Sequence, residues 1–155
     1  TKPAVRARVA SLRARRGFNI HSVAVGPTQD EGQSRMTIVV DAPEMEQVKK
    51  QLHKLINVVR ITELDPKETL EREIMLIRVA ANPGKRGEVL EIASIFKATA
   101  IDVGPASLCF QVSGEPRVIN DFVDLVRPYG IVDLVKSGRI ALSRAAKTRK
   151  LKAVG

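Results

Sequence analysis

Residues 73–103 read EIMLIRVAANPGKRGEVLEIASIFKATAIDV and pass through three conformational patterns in succession. Glu73 to Ala81 is an apolar run of strand length with β-branched residues in it. Asn82-Pro-Gly-Lys85 is turn chemistry. Arg86 to Lys97 then places Val89, Ile92, Ala93 and Phe96 on one side of a helix. Thr99 to Val103 returns to a strand, and outward from it the same logic continues. Ser107 to Ser113 is a further strand, and Arg117 to Arg127 is a helix carrying Val118, Phe122, Leu125 and Val126. Ile131 to Leu142 is a strand with a break expected near Ser137-Gly138. The order is βαββαβ.

That order predicts a ferredoxin-like sandwich, two helices on one face of an antiparallel sheet. The chain before it repeats the pattern. Pro3 suits a first helical turn, with Thr1 or Lys2 at the cap. Val5, Val9 and Leu12 share a stripe, and Gly17 is placed to end the helix. Phe18 to Val25 is extended, Pro27 to Gln33 a polar turn, and Arg35 to Val40 a β-rich run. Asp41-Ala-Pro-Glu44 resembles a capping box for a helix with Met45, Val48, Leu52, Leu55 and Ile56 at helical spacing. Val58 to Ile61 is read as a last strand. The first half therefore spells αββαβ, the same unit without its first strand, which is expected to precede Thr1. The fold class expected is α+β, two tandem ferredoxin-like units. The divisions expected are 1–62 for the first unit, 63–72 for a charged linker, 73–144 for the second unit and 145–155 for a basic, disordered tail.

At 155 residues, with 44% apolar positions and five aromatic ones, the chain can pack aliphatic cores in two small units. No apolar run approaches the roughly 20 residues that cross a bilayer, so no membrane partner is expected. A lone Cys109 excludes an internal disulfide framework and fits a reducing, cytoplasmic setting. The net charge of +9 is unevenly placed. Residues 1–16 hold six basic and no acidic side chains, and residues 136–155 hold seven and none, leaving 13 basic against 17 acidic between them. A basic tail on a mildly acidic body, without aromatic platforms, argues against nucleic acid as a partner.

A catalytic centre needs titratable groups brought together. His21 and His53 sit on different elements with no ligand spacing around them, so no metal site is expected. Cys109 lies in a strand without an evident base and reads as a buried inert thiol. Asn82-Pro-Gly-Lys-Arg86 lacks the phosphate-loop spacing and reads as a turn into a helix. Glu63, Asp65, Glu68 and Glu71 read as solvated linker residues. The stretch Arg15 to Val25 is more specific. After Gly17, Asn19 falls between Phe18 and Ile20 and points away from the core they enter. Its amide can satisfy the turn backbone, or read the carboxylate and ammonium of an amino acid.

Arg15-Arg-Gly-Phe-Asn-Ile-His-Ser-Val-Ala-Val25 resembles the signature of the small, regulatory subunit of acetohydroxyacid synthase, also called acetolactate synthase. Ser34–Val39, Gln51–Val58, Glu71–Ile77, Ile95–Ala98, Ile101–Val103 and Ser137–Arg144 match the same family in order. The resemblance covers nearly the whole chain. It implies that the first unit is an ACT domain, which pairs side by side with a second copy and takes a branched-chain amino acid, usually valine, at the interface. It implies a non-catalytic chain, free of cofactors, that activates a large catalytic subunit and transmits feedback inhibition to it. That subunit would carry thiamine diphosphate, magnesium and FAD. The setting implied is cytoplasmic, or the plastid in a plant or alga.

Carried over by position, Asn19 and Ile20 fall at the ligand-contacting strand start. The facing loop, whose N–H groups would cap a carboxylate, falls on Thr1, Ala4 and Val5. Thr1 stands where Asn is usual, Ala4 where Gly is usual, and Arg6 and Arg13 where apolar residues are usual. Ala4 adds a Cβ where close backbone approach is wanted, so the expectation is weak or absent valine affinity. Gln51, His53 and Lys54 are weak candidates for contact with the catalytic subunit. The alternatives are a free-standing ACT-type amino-acid sensor and, behind it, a nucleic-acid-binding protein using its basic ends. Co-purification with a catalytic subunit separates the first, and salt-dependent RNA binding lost on tail deletion identifies the second.

Overall fold

A computed structural model describes residues 19–55 and 57–145. The helix expected over Pro3–Arg16, its Gly17 cap and Phe18 lie outside the described residues. The chain divides into two compact units, one ending at Leu70 and rejoined from Ala141, the other spanning Glu71–Ile140. The fold is mixed α+β with antiparallel sheets, as the element order predicts.

In the first unit β1 (Ile20–Pro27) and β2 (Ser34–Val40) form an antiparallel pair, followed by α1 (Ala42–His53). The register runs Ile20↔Val40 and then Ser22↔Val39, so His21 is the extra residue of a β-bulge. The bulge resets the alternation, and Val23 joins Ile20 in packing with Ile38 and Val40 against Val48 and Leu52 of α1. Val58–Ile61 is not a strand, contrary to the sequence reading. In the second unit the last strand pairs with the first. Among the described residues of the first unit no strand occupies that first position, so this segment has no ladder to join. Ile61 still packs against the small core.

One turn of 3-10 helix (Pro66–Glu68) leads into β3, capped by Asp65 Oδ1, which accepts from the Lys67 N–H at 3.0 Å. β3 (Thr69–Ala80) begins four residues before the expected Glu73. It is followed by α2 (Arg86–Ile95), β4 (Thr99–Val103), β5 (Ser107–Gly114), α3 (Pro116–Val126), β6 (Ile131–Lys136) and β7 (Ile140–Ser143). The sheet order is β4-β5-β3-β6, with β7 also paired to β3. The break read at Ser137-Gly138 is present: Gly138 has φ +88°, and Ser137 both donates its N–H to the Ile74 carbonyl and accepts the Ile74 N–H on its hydroxyl.

Alternation along β3 and β5 sends Met75, Ile77, Val79, Leu108, Phe110 and Val112 beneath the two helices. Val89 and Ala93 of α2 and Ile119, Phe122, Val123 and Val126 of α3 meet them. Leu125, read as part of the apolar side of α3, is exposed instead, because Ile119 and Val123 set the buried stripe. Helix α2 ends through Lys97, which adopts φ +56° so that the Ala98 N–H reaches the Ala93 carbonyl at 2.9 Å. A left-handed residue with a Cβ costs roughly 1 kcal/mol. Lys97→Gly is therefore expected to stabilise the second unit by about 0.5–1 kcal/mol, read as a higher denaturant midpoint at unchanged slope. A lower midpoint would show that the lysine stem contributes more than the strain removes.

Candidate ligand site at the start of β1

Asn19 immediately precedes the first ladder pair, so its N–H finds no partner in the β1–β2 register. The carboxylate of Glu44, in the first turn of α1, fills that need: the Asn19 N–H donates to Glu44 Oε2 at 2.8 Å. Next to it, His21 Nε2 lies 2.8 Å from Asp41 Oδ1, both side chains half exposed. His21 is the extra residue of the bulge, and its imidazole reaches the residue that precedes α1. Asp41 is the N-cap residue, yet its side chain makes no capping hydrogen bond. The expected capping box is thus opened: both of its carboxylates reach across to β1 instead of to the helix backbone. The unpaired strand start and the bulged histidine compete for them, and one-dimensional spacing carries no trace of that competition.

The Asn19 side chain is at the surface, while Ile20 is 3% exposed and packed with Val48 and Leu52. Ile20 thus anchors the strand start, and its side chain is committed to the core. Thr1, Ala4, Val5, Arg6 and Arg13 lie outside the described residues. What the structure brings together is an exposed amide, two carboxylates and an imidazole. Such a corner is rich in acceptors and suits a cationic group better than an anionic one.

The remaining candidates separate. Asn82 Oδ1 accepts from the Lys85 N–H at 3.0 Å, the geometry of a turn into α2. Arg86 donates through Nη2 to the carbonyls of Gly104 at 2.6 Å and Pro105 at 3.1 Å, strapping the β4–β5 turn to the helix start. Cys109 is only half buried, not buried as read, because it faces away from the helices on β5. Its sulfur accepts from Arg78 Nε at 3.3 Å. That contact, with the Asp133 and Asp102 carboxylates behind it, holds the Arg78 pKa above its ordinary value. Only the topology joins these residues, which are 31 positions apart. Among the described residues no group of three or more His, Cys, Asp or Glu side chains comes together as a metal site. No described helix is long and apolar enough to cross a membrane.

Comparison with known proteins covers both units in order. Residues 2–60 match the model of the small-subunit-like ACT domain of acetohydroxyacid synthase, and residues 72–145 match that of the small subunit of acetolactate synthase. The acetolactate synthase small subunit of Mycobacterium bovis is 45% identical over 148 residues, which is 94% of this chain and 88% of the relative. A probable acetolactate synthase small subunit of Archaeoglobus fulgidus is 47% identical over 148 residues, 94% of this chain and 92% of its own length. The crystal structure of the acetolactate synthase small subunit from Thermotoga maritima superposes with a TM-score of 0.82 at 34% identity, covering 95% of this chain and 93% of that one. The chain belongs to the acetolactate synthase small-subunit family.

Proposed function

We propose that this chain is the regulatory subunit of acetolactate synthase, acting on a separate large catalytic subunit in branched-chain amino acid biosynthesis. The observation that carries this reading is the match of both units, in order, to small subunits over 94% of the chain. The chain raises the activity of the catalytic subunit, which holds the thiamine diphosphate, magnesium and FAD that condense pyruvate. Two copies pair through their ACT units, and a branched-chain amino acid binds beside Asn19. The acceptor-rich corner of Asp41 and Glu44 supports this placement on the ammonium side of an amino acid. By the family's sequence pattern the carboxylate side falls to Thr1, Ala4 and Val5, and Ala4 and Arg6, which stand where Gly and Leu are usual, weaken the effector's hold.

Reconstitution tests the reading. Adding the chain to its catalytic subunit is expected to raise acetolactate formation several-fold, with little further change on adding valine. Calorimetry on the pure chain is expected to show weak valine binding or none. No effect on turnover would reject the regulatory role, whereas tight valine binding would reject only the weakened site.

A further inference from the structure

Asp41 stands where a helix cap belongs, and its backbone, at φ −69° and ψ 144°, has the extended conformation of an N-cap residue. Its carboxylate makes no capping hydrogen bond. Oδ1 lies 2.8 Å from His21 Nε2 on β1 instead. The cause is in the first turn of α1. A capping oxygen accepts from the N–H of the second or third helical residue. The second residue is Pro43, which has no N–H. The third is Glu44, whose N–H already donates to the Asp41 carbonyl at 3.0 Å. One capping donor is missing and the other is in use, so the imidazole of His21 is the freer partner for Asp41.

We propose that Asp41 is a two-position latch between the bulge of β1 and the cap of α1, and that Pro43 is the positioning residue that keeps it on β1. Passage between the positions needs only the side chain to move, because the backbone of Asp41 is already set for capping. Turned to β1, Asp41 ties His21 to the residue before α1 and keeps its carboxylate in the corner beside Asn19. Turned to the helix, it releases His21 and withdraws that carboxylate from the corner. The regulatory consequence rests on the effector site proposed beside Asn19. An ammonium bound there draws Asp41 to the β1 side, so occupancy of the corner is passed to the first turn of α1.

Amide hydrogen exchange on the full chain, with no amino acid added, tests the latch. Pro43→Ala supplies the missing N–H. The new N–H at position 43 is expected to exchange about fivefold more slowly than when Pro43→Ala is combined with Asp41→Ala, the size of one capping contact. In the unaltered chain, His21→Ala is expected to speed exchange of the neighbouring β1 amides by about threefold, as suits a half-exposed pair. In Pro43→Ala the same change is expected to have little effect, since Asp41 has already left His21. A proline that only stiffened the helix start would leave the effect of His21→Ala equal in both backgrounds. Far-UV dichroism checks each variant, and if Pro43→Ala loses helix, Pro43→Gln restores the N–H in its place. Equal exchange at position 43 with and without Asp41 would overturn the proposal. So would an equal effect of His21→Ala with and without Pro43. Either result leaves the effector site beside Asn19 untouched, because no amino acid is present in the measurement.

Discussion

Phe122→Ala is expected to lower the stability of the second unit by about 3–5 kcal/mol, the range for deleting a buried aromatic ring. Phe122 is fully buried on α3. Its ring lies 5.5 Å from Phe96, tilted, and 6.0 Å from Phe110, edge to face. It thereby joins both helices to the sheet, and the alanine leaves a void that three elements would have to close. Aromatic pairs also contribute about 0.5–1.5 kcal/mol each beyond area burial. A typical domain has only about 5–15 kcal/mol in total, so this variant approaches global unfolding. Denaturant titration measures it, with Phe122→Leu as a milder volume change. A loss under 1 kcal/mol would mean that the ring is not the centre of this core.

Ile20→Ala is expected to cost about 2–4 kcal/mol in the first unit. Among the described residues the buried cluster there is Ile20, Val48 and Leu52, and Ile20 is its buried member on β1, so this deletion removes a large share of the described contact between β1 and α1. Hydrogen exchange separates this effect from the previous one. Amides of β1 and β2 should lose protection while those of β3 and β5 keep theirs. Uniform loss across both units would contradict it. The Asn19 N–H contact with Glu44 should be lost with the strand start that Ile20 anchors.

Much of the second unit was legible because its signals are local. Thr99–Val103 follows from residue type alone, and Ser137-Gly138 announces its own break. The burial of Phe122 and Val89 follows from helical spacing. The first unit was harder for three distinct reasons. Val58–Ile61 has the composition of a strand, but a strand needs a neighbour, and neighbours are not a property of the segment. Asp41 and Glu44 have capping-box spacing, but His21 on β1 and the Asn19 N–H just ahead of it take their carboxylates instead. His21 occupies a bulge that no one-dimensional pattern marks. At the candidate site, Asn19 could be placed at the surface by alternation, whereas its carboxylate neighbours depend on how β1 lies against α1. Arg78 and Cys109 met for a similar reason: register across β3 and β5 is a tertiary fact.

The position of β3 in the middle of its sheet has a consequence for how the protein is made. β3 is the first strand of its unit to leave the ribosome, yet β5 and β6, which flank it, are synthesised later. The Ile74–Ser137 contact closes a separation of 63 residues. Such non-local pairing is slow, since loop entropy is lost before contacts reward it. During synthesis the emerging β3, with Ile74, Met75, Leu76 and Ile77 in sequence, has both edges bare until its later neighbours arrive. Translation pauses placed before residue 137 should therefore increase aggregation or chaperone capture of the nascent chain, and pauses beyond β7 should not.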